Sequence, residues 1–328
     1  MPVSSGISFA FDWEVALIEW LQTHLAPGLI TFISYLSMFG EEIIMIAVLG
    51  FLYWAYDKKL GREVGLTLLV ANVWNPLIKN IVLRRRPYFD NEGIQILRVV
   101  DPDADIYDIA AQGYSFPSGH SSGSMSLYGS LFAFGKDRPL TDAAKRILLI
   151  LAIVLPLLVG FSRITVGAHY PTDVLCGYAL GLLVIFIVRT LIRRMKNQYL
   201  LFLILLLTAV PGFFYCESDD FYTGTGMLLG FILAVPFEAK YVDFENTRSP
   251  IRSILRVIGG GAIYVILNTL LKVPFSSEFL ESGTLAAHLV RTFRYAIILF
   301  VDMGVYPMMF KVTAAVGRKP RELMRTSS

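Results

Sequence analysis

Apolar runs of about 20 residues recur along this chain from residue 29 onward, each long enough to cross a bilayer as a helix. In hydrocarbon a helix satisfies every backbone N–H and C=O within itself, so these runs point to an all-α fold. Composition agrees, with 55% of the 328 residues hydrophobic and only 17% charged. The pattern predicts a polytopic membrane helix bundle of about nine spans. They lie near 29–56, 62–82, 119–135, 147–165, 172–192, 199–215, 222–239, 252–272 and 286–315. The first is long enough to tilt or to break at Gly40, and the last can run past the bilayer. Residues 9–25 alternate aromatic and acidic residues at helical spacing and predict an interfacial helix anchored by Trp13 and Trp20. No basic-then-apolar leader with a small-residue cleavage site is present, so the first spans are expected to direct insertion.

Lys and Arg in short loops set the expected orientation. Lys58, Lys59 and Arg62, then Lys136, Arg138, Lys145 and Arg146, share one side with Arg189, Arg193, Arg194 and Lys196. Lys240, Arg248 and Arg252 and the tail residues Arg318, Lys319, Arg321 and Arg325 join them on what reads as the cytoplasmic face. The opposite loops are acidic, so the N-terminus is expected outside and the C-terminus inside. Lys79, Arg84, Arg85 and Arg86 break the rule on the outer face. Snorkelling accounts for Arg84 and Arg85, but Lys79 lies two turns deeper and calls for an anion. A net charge of +3, with no single basic patch, argues against a nucleic-acid partner. Two cysteines, Cys176 and Cys216, exclude a disulfide framework.

Three polar motifs interrupt the apolar chain, and all fall on that outer face. Lys79 and Arg86 are two helical turns apart and share a helix face, and Pro87 ends the helix. Pro117-Ser118-Gly119-His120 opens a helix: Ser118 can cap it, Gly119 admits a close ligand, and the free N–H groups attract an anion. Ser162-Arg163 supplies a guanidinium fork suited to two oxygens. His169 and Asp173 are four residues apart, so the carboxylate can hold one ring nitrogen and leave the other as a nucleophile. His120 can then protonate a leaving alkoxide and activate water. Fixed positive charge and positioning are most of what phosphoryl transfer requires. Two histidines set among cations would repel a divalent ion, and neither a His-x-x-x-His nor a paired-cysteine pattern occurs, so no metal or cofactor is expected. His24 and His288 have no such company and read as interfacial residues.

The three motifs resemble the phosphatidic acid phosphatase type 2 superfamily, whose signature stands here as KNIVLRRRP (79–87), PSGH (117–120) and SRITVGAHYPTD (162–173). The resemblance implies a metal-independent membrane phosphatase in which His169 forms a phospho-histidine, Asp173 supports it and His120 is the acid and base. It also implies that Lys79, Arg86, Ser118, Gly119 and Arg163 hold the phosphate. It divides the chain into an interfacial segment 1–28, a six-span-type phosphatase core 29–215, and additional membrane helices 216–328. The layout is similar to that of glucose-6-phosphatase and the sphingosine-1-phosphate phosphatases.

The expected substrate is therefore a membrane lipid phosphomonoester or pyrophosphate, with the lipid bilayer as the other partner and a bacterial cytoplasmic membrane as the location. A sugar-phosphate phosphatase, vanadate-dependent haloperoxidase chemistry, and a non-catalytic transport or lipid-binding protein on the same core are the alternatives. The oligomeric state is not legible. Small residues predict close helix contacts: Ser118, Ser122, Ser126 and Ser130, then Gly177 with Gly181, then Gly226 with Gly230. The acidic stretch 88–116 reads either as a solvated loop or as a lid. Arg291, Arg294 and Asp302, like Glu41 and Glu42, are ionisable residues at membrane depth and stand as functional candidates or helix-neighbour pairs.

Overall fold

The computed structural model describes residues 6–310, the side chain of Ala110 excepted. The described residues are organised almost wholly as helices, and Ile7 and Arg84 form an isolated parallel bridge. In chain order the helices are α1 (Asp12–His24), α2 (Pro27–Leu36), α3 (Glu42–Gly50), α4 (Lys58–Val82), α5 (Pro87–Asp90) and α6 (Ile109–Gln112). There follow α7 (Gly119–Ser124), α8 (Ser130–Gly135), α9 (Asp142–Thr165), α10 (Pro171–Arg194) and α11 (Gln198–Leu207). The last are α12 (Asp219–Phe237), α13 (Pro250–Leu270), α14 (Ser277–Leu280) and α15 (Leu285–Phe300). Single π-helical turns extend or link several of them, at Phe51–Tyr56, Met125–Gly129, Glu238–Val242 and Val301–Val305.

Every expected span is helical where it is described, but length and composition alone do not yield nine crossings. Among the described residues five segments are long and apolar enough: Asp142–Thr165, Pro171–Arg194, Asp219–Val242, Pro250–Leu270 and Leu285–Phe310. The pair Pro27–Gly40 and Glu42–Tyr56, bent by 45°, makes a sixth if it is one broken span. The break follows Gly40, where a 3-10 turn tightens the chain before Glu41. Asn72, Asn75 and Asn80, together with Lys79, make the bilayer-length part of α4 too polar for that set. Residues 119–135 are short and serine-rich, and Gln198–Phe214 is also short. The tail cations from Arg318 onward and residues 311–315 of the last expected span lie outside the described residues.

The chain divides into two compact units, residues 1–45 with 63–221 and residues 46–62 with 222–328. Residues 46–62 thus belong with the C-terminal helices rather than with the 29–215 segment. Tyr53 Oη donates to Met303 O at 3.0 Å, Trp54 Nε1 donates to Asp302 O at 3.2 Å, and Lys58 Nζ pairs with Glu238 at 2.9 Å.

In the first unit, small residues let α10 approach the turn that begins α7. A Cβ on Gly177 would sit 2.7 Å from Ser118 O, and one on Gly181 would sit 2.7 Å from Met125 Cβ. Both separations are shorter than a carbon tolerates, so the two faces meet backbone to backbone as the serine and glycine stripes predict. Ser118 caps α7 and Thr141 caps α9, each accepting from a backbone N–H three residues on. In the second unit, Cβ atoms on Gly226 and Gly230 would lie 2.3 Å from Thr292 O and 2.4 Å from Ala296 O. That packing buries the α15 face carrying His288, which stacks on Tyr222 with ring centroids 4.1 Å apart. His288 is therefore a packing residue, not the interfacial one its sequence context suggested. His24 is exposed and stacks on Trp20. Cys176 and Cys216 are free thiols.

Candidate active site

The three motifs converge in the first unit, and the local sequence explains how. Lys79 lies in the last turn of α4 and is 8% exposed. Arg86 does not share a helix face with Lys79 as their spacing predicted: α4 stops at Val82, Leu83 at φ 54° turns the chain, and Pro87 opens α5 behind an extended Arg86 instead of ending α4. Arg86 is anchored by backbone oxygens: Nε donates to Gln112 O at 2.9 Å and Gly113 O at 3.0 Å, and Nη1 donates to Ala168 O at 3.0 Å. Arg163 occupies the last turn of α9 and is 2% exposed. Its Nε is buried with no hydrogen-bond partner among the described residues.

His169 lies in the short turn between α9 and α10. Its Nδ1 is 2.9 Å from Ser115 O, and its Nε2 is 3.5 Å from Arg86 Nη1. A carbonyl oxygen can only accept, so Nδ1 carries the proton and Nε2 keeps its lone pair. Burial first, then the Arg86, Arg163 and Lys79 charges, push the His169 pKa well below 6.5 against the opposing Ser115 bond. The imidazole is therefore neutral near pH 7, as a nucleophile must be.

Asp173 is fully buried at the third position of α10. Its Oδ2 accepts from Tyr170 N at 2.8 Å and stands 3.7 Å from His169 Nδ1. The ring's hydrogen bond thus goes to a main-chain oxygen, with the carboxylate close behind it. Asp173 O also accepts from Ser118 N at 3.0 Å, which ties the second motif to the third. Ser118 Oγ accepts from Ser121 N and Ser121 Oγ, which leaves its own proton to donate. Gly119 borders Asn75, whose Nδ2 donates to Pro117 O and Ser122 Oγ. His120 follows at the head of α7, within electrostatic reach of Arg163, His169, Arg86 and Lys79. Its backbone is packed against Gly40.

All eight residues singled out from the sequence therefore lie in this one region. What the arrangement can do chemically is hold a tetrahedral anion among Lys79, Arg86 and Arg163, with one neutral imidazole beside it and a second near by. The donor set is cationic, and among the described residues no group of three His, Cys, Asp or Glu side chains could hold a metal.

Sequence reasoning missed several participants. Arg84 does not snorkel: it is 2% exposed and makes ion pairs at 2.7 Å with both Asp173 and Glu14. Two carboxylates waiting inside the protein offer more than a distant interface does. Arg85 pairs with Asp90. The stretch 88–116 is no plain solvated loop. Its buried Gln112 accepts from Val100 N and Asp101 N while its carbonyl receives Arg86, so the segment is fastened to the site. Arg98 pairs with Glu41 at the break in the first span. Tyr88 Oη is buried without a partner among the described residues, in electrostatic reach of Arg86 and Arg163.

A helical membrane fold carrying this polar cluster defines an integral-membrane phosphoric-ester hydrolase. The chain belongs to the PAP2 superfamily, whose family model matches residues 61–197, and the PAP2 superfamily phosphatase transmembrane extension matches residues 222–318. It is 40% identical over 85 residues to phosphatidylglycerophosphatase B of Bacillus subtilis, covering 26% of this chain and 42% of that protein. It is 31% identical over 173 residues to decaprenylphosphoryl-5-phosphoribose phosphatase of Mycobacterium tuberculosis, covering 51% of this chain and 84% of that protein. The chain thus spans less than half of the first relative and most of the second. A crystal structure of a transmembrane PAP2-type phosphatidylglycerolphosphate phosphatase from Bacillus subtilis is 26% identical, covers 56% of this chain and 87% of its own, and has a TM-score of 0.43.

Proposed function

We propose that this protein hydrolyses a lipid phosphomonoester or lipid pyrophosphate at the non-cytoplasmic face of a bacterial cytoplasmic membrane, without a metal, through a phospho-histidine on His169. The observation that carries the reading is the hydrogen bond from His169 Nδ1 to Ser115 O, which leaves Nε2 as a neutral lone pair beside Arg86.

In the first step the Nε2 lone pair bonds to phosphorus, the P–O bond to the leaving group breaks, and His120 gives that oxygen its proton. Lys79, Arg86 and Arg163 neutralise the equatorial oxygens, with Ser118 and Gly119 at the rim. In the second step water attacks phosphorus, His120 takes its proton, and the P–N bond breaks to return His169 and orthophosphate. Asp173 offsets the positive charge that the imidazole bears while it is phosphorylated.

The basic loops named above support the outer-face assignment, and the relatives' names support a lipid substrate. Residues 29–215, without the 46–62 stretch, carry the chemistry in this reading. Orthophosphate release by detergent-purified protein across phosphatidic acid, phosphatidylglycerol phosphate, a polyprenyl diphosphate and glucose 6-phosphate tests it. Lipid phosphates should be the better substrates, and a preference for the sugar phosphate would overturn the assignment.

A further inference from the structure

The N-terminal helix places a buried acid behind the nucleophile's carboxylate. Glu14 is completely buried on α1, on the same face as the buried Ile18 and Leu21, whereas Trp13 and Trp20 are exposed on the other side. Its Oε2 accepts from Arg84 Nη2 at 2.7 Å and Phe11 N at 3.1 Å. Its Oε1 accepts from Thr172 N at 3.0 Å and Thr172 Oγ1 at 2.6 Å. Arg84 completes the chain of contacts: Nη1 donates to Asp173 Oδ1 at 2.7 Å and to Thr172 Oγ1 at 2.8 Å, and Nε donates to Phe9 O at 2.7 Å. The guanidinium lies over the Tyr170 ring, 3.9 Å from its centroid. Backbone bonds from Ile7 N to Leu83 O and from Arg85 N to Ile7 O lash the same segment to the first motif.

The charges in this chain of contacts do not cancel. Arg84 alone against Asp173 would be a neutral pair and would blunt the carboxylate's effect on His169. Glu14 adds a second negative charge, so the three side chains carry one net negative charge behind the imidazole. The Arg84 fork also fixes Asp173 so that its other oxygen remains near Nδ1. Neither residue touches the phosphate site itself.

We infer that Glu14 and Arg84 are positioning residues for the nucleophile: Arg84 fixes the Asp173 carboxylate and Glu14 restores the negative charge that Arg84 would otherwise cancel. Residues 6–14 are then part of the catalytic apparatus rather than only a membrane anchor. This rests on His169 being the nucleophile.

The test compares two variants that separate charge from shape, in full-length protein purified in detergent and limited to the monodisperse fraction. Glu14→Gln keeps the shape and removes the charge, while Glu14→Asp keeps the charge and shortens the side chain. Loss of a unit charge near a buried site is worth about one order of magnitude, so Glu14→Gln should lower kcat roughly tenfold. KM should change by less than about twofold, because substrate binding is not involved. Glu14→Asp should retain more kcat than Glu14→Gln. A merely packed or hydrogen-bonded side chain would give the reverse order, and that order, or an unchanged kcat in Glu14→Gln, would overturn the inference. If neither variant yields monodisperse protein, Arg84→Lys keeps the charge but loses the fork. A fall in its kcat at constant KM is expected, and wild-type kcat would overturn the inference. Full activity in His169→Ala would instead sink the nucleophile assignment itself, leaving the two failures distinct.

Discussion

His169 Nδ1 lies 2.9 Å from the main-chain oxygen of Ser115, nearer than the 3.7 Å that separates it from Asp173 Oδ2. The ring is thus oriented by the chain that precedes the Pro117 turn, and the carboxylate acts on it mainly through charge. Division of labour of this kind lets tautomer and field be set by different parts of the fold.

His169→Ala should abolish orthophosphate release while the protein still purifies as a monodisperse species. Trapping the wild-type enzyme with labelled substrate should yield an acid-labile, base-stable phosphoprotein that the variant does not form. A variant that keeps most of its turnover would remove His169 from the mechanism.

Asp173→Asn should be both unstable and nearly inactive. Asp173 accepts from Arg84 Nη1 on one oxygen and from Tyr170 N on the other, and an amide can accept only one of them, so a buried donor loses its partner at a cost of about 1–3 kcal/mol. Thermal unfolding in detergent reads the first effect and phosphate release the second. A wild-type melting temperature would show that the buried contacts are weaker than their geometry implies.

Gly177→Val tests whether close helix approach is what joins the second and third motifs. A Cβ there would lie 2.7 Å from Ser118 O, backbone that cannot step aside cheaply. Overpacking of this kind costs about 1–3 kcal/mol, and the displacement should fall on Ser118 and His120. Activity is expected to drop far more than stability. Gly261→Val is the control, since nothing lies within 4 Å of a Cβ at that position.

Acidification should spare turnover at first. The His169 pKa is depressed by burial and by Arg86, Arg163 and Lys79, so the neutral imidazole persists below pH 6.5. The acid limb of kcat/KM that reports this residue should therefore lie below pH 6.5, and a limb at or above 7 would contradict the account. The same depression makes His169 a source of acid instability. Its contribution is present above the unfolded-state pKa of about 6.5 and is lost as pH falls beneath it, because the unfolded chain then binds a proton that the native site refuses.

Tyr88→Phe should leave the melting temperature unchanged or raise it, because the hydroxyl it removes is buried without a partner among the described residues. A rise in KM with constant kcat would show that the hydroxyl meets the bound substrate. EDTA should leave turnover largely intact, as expected of a site whose donors are cations.

Much of the site was legible because its chemistry is local in sequence. Four residues from His169 to Asp173 is a spacing at which a turn brings side chains together, whereas the helix expected to carry both Lys79 and Arg86 stops at Val82, and Arg86 reaches the site from the extended stretch beyond Leu83. Ser118 could be read as a cap because serine before a glycine-led helix has few other uses, and it does cap α7. The small-residue stripes foretold which faces touch. The clasp around Arg84 was not legible, since Glu14 meets it across 70 residues of chain. A signal was present all the same: Glu14, Ile18 and Leu21 fall at helical positions i, i+4 and i+7, a core register that no surface acid should occupy. The number of crossings was least legible, because α4 mixes apolar residues with Asn72, Asn75, Lys79 and Asn80, and hydropathy cannot tell polar side chains buried in a bundle, as Asn75 and Lys79 are, from solvent-exposed ones.

An acceptor supplied by Ser115's peptide group is beyond the reach of ordinary codon changes, since every amino acid offers the same carbonyl. A side-chain scan through residue 115 would report only on the serine hydroxyl, which bonds to Arg84 O and Arg85 O, and would pass over the group that sets the imidazole's proton. Insertions or deletions between residues 113 and 117 would move that carbonyl, so position 115 should tolerate an exchange of letter far better than the surrounding stretch tolerates a change of length.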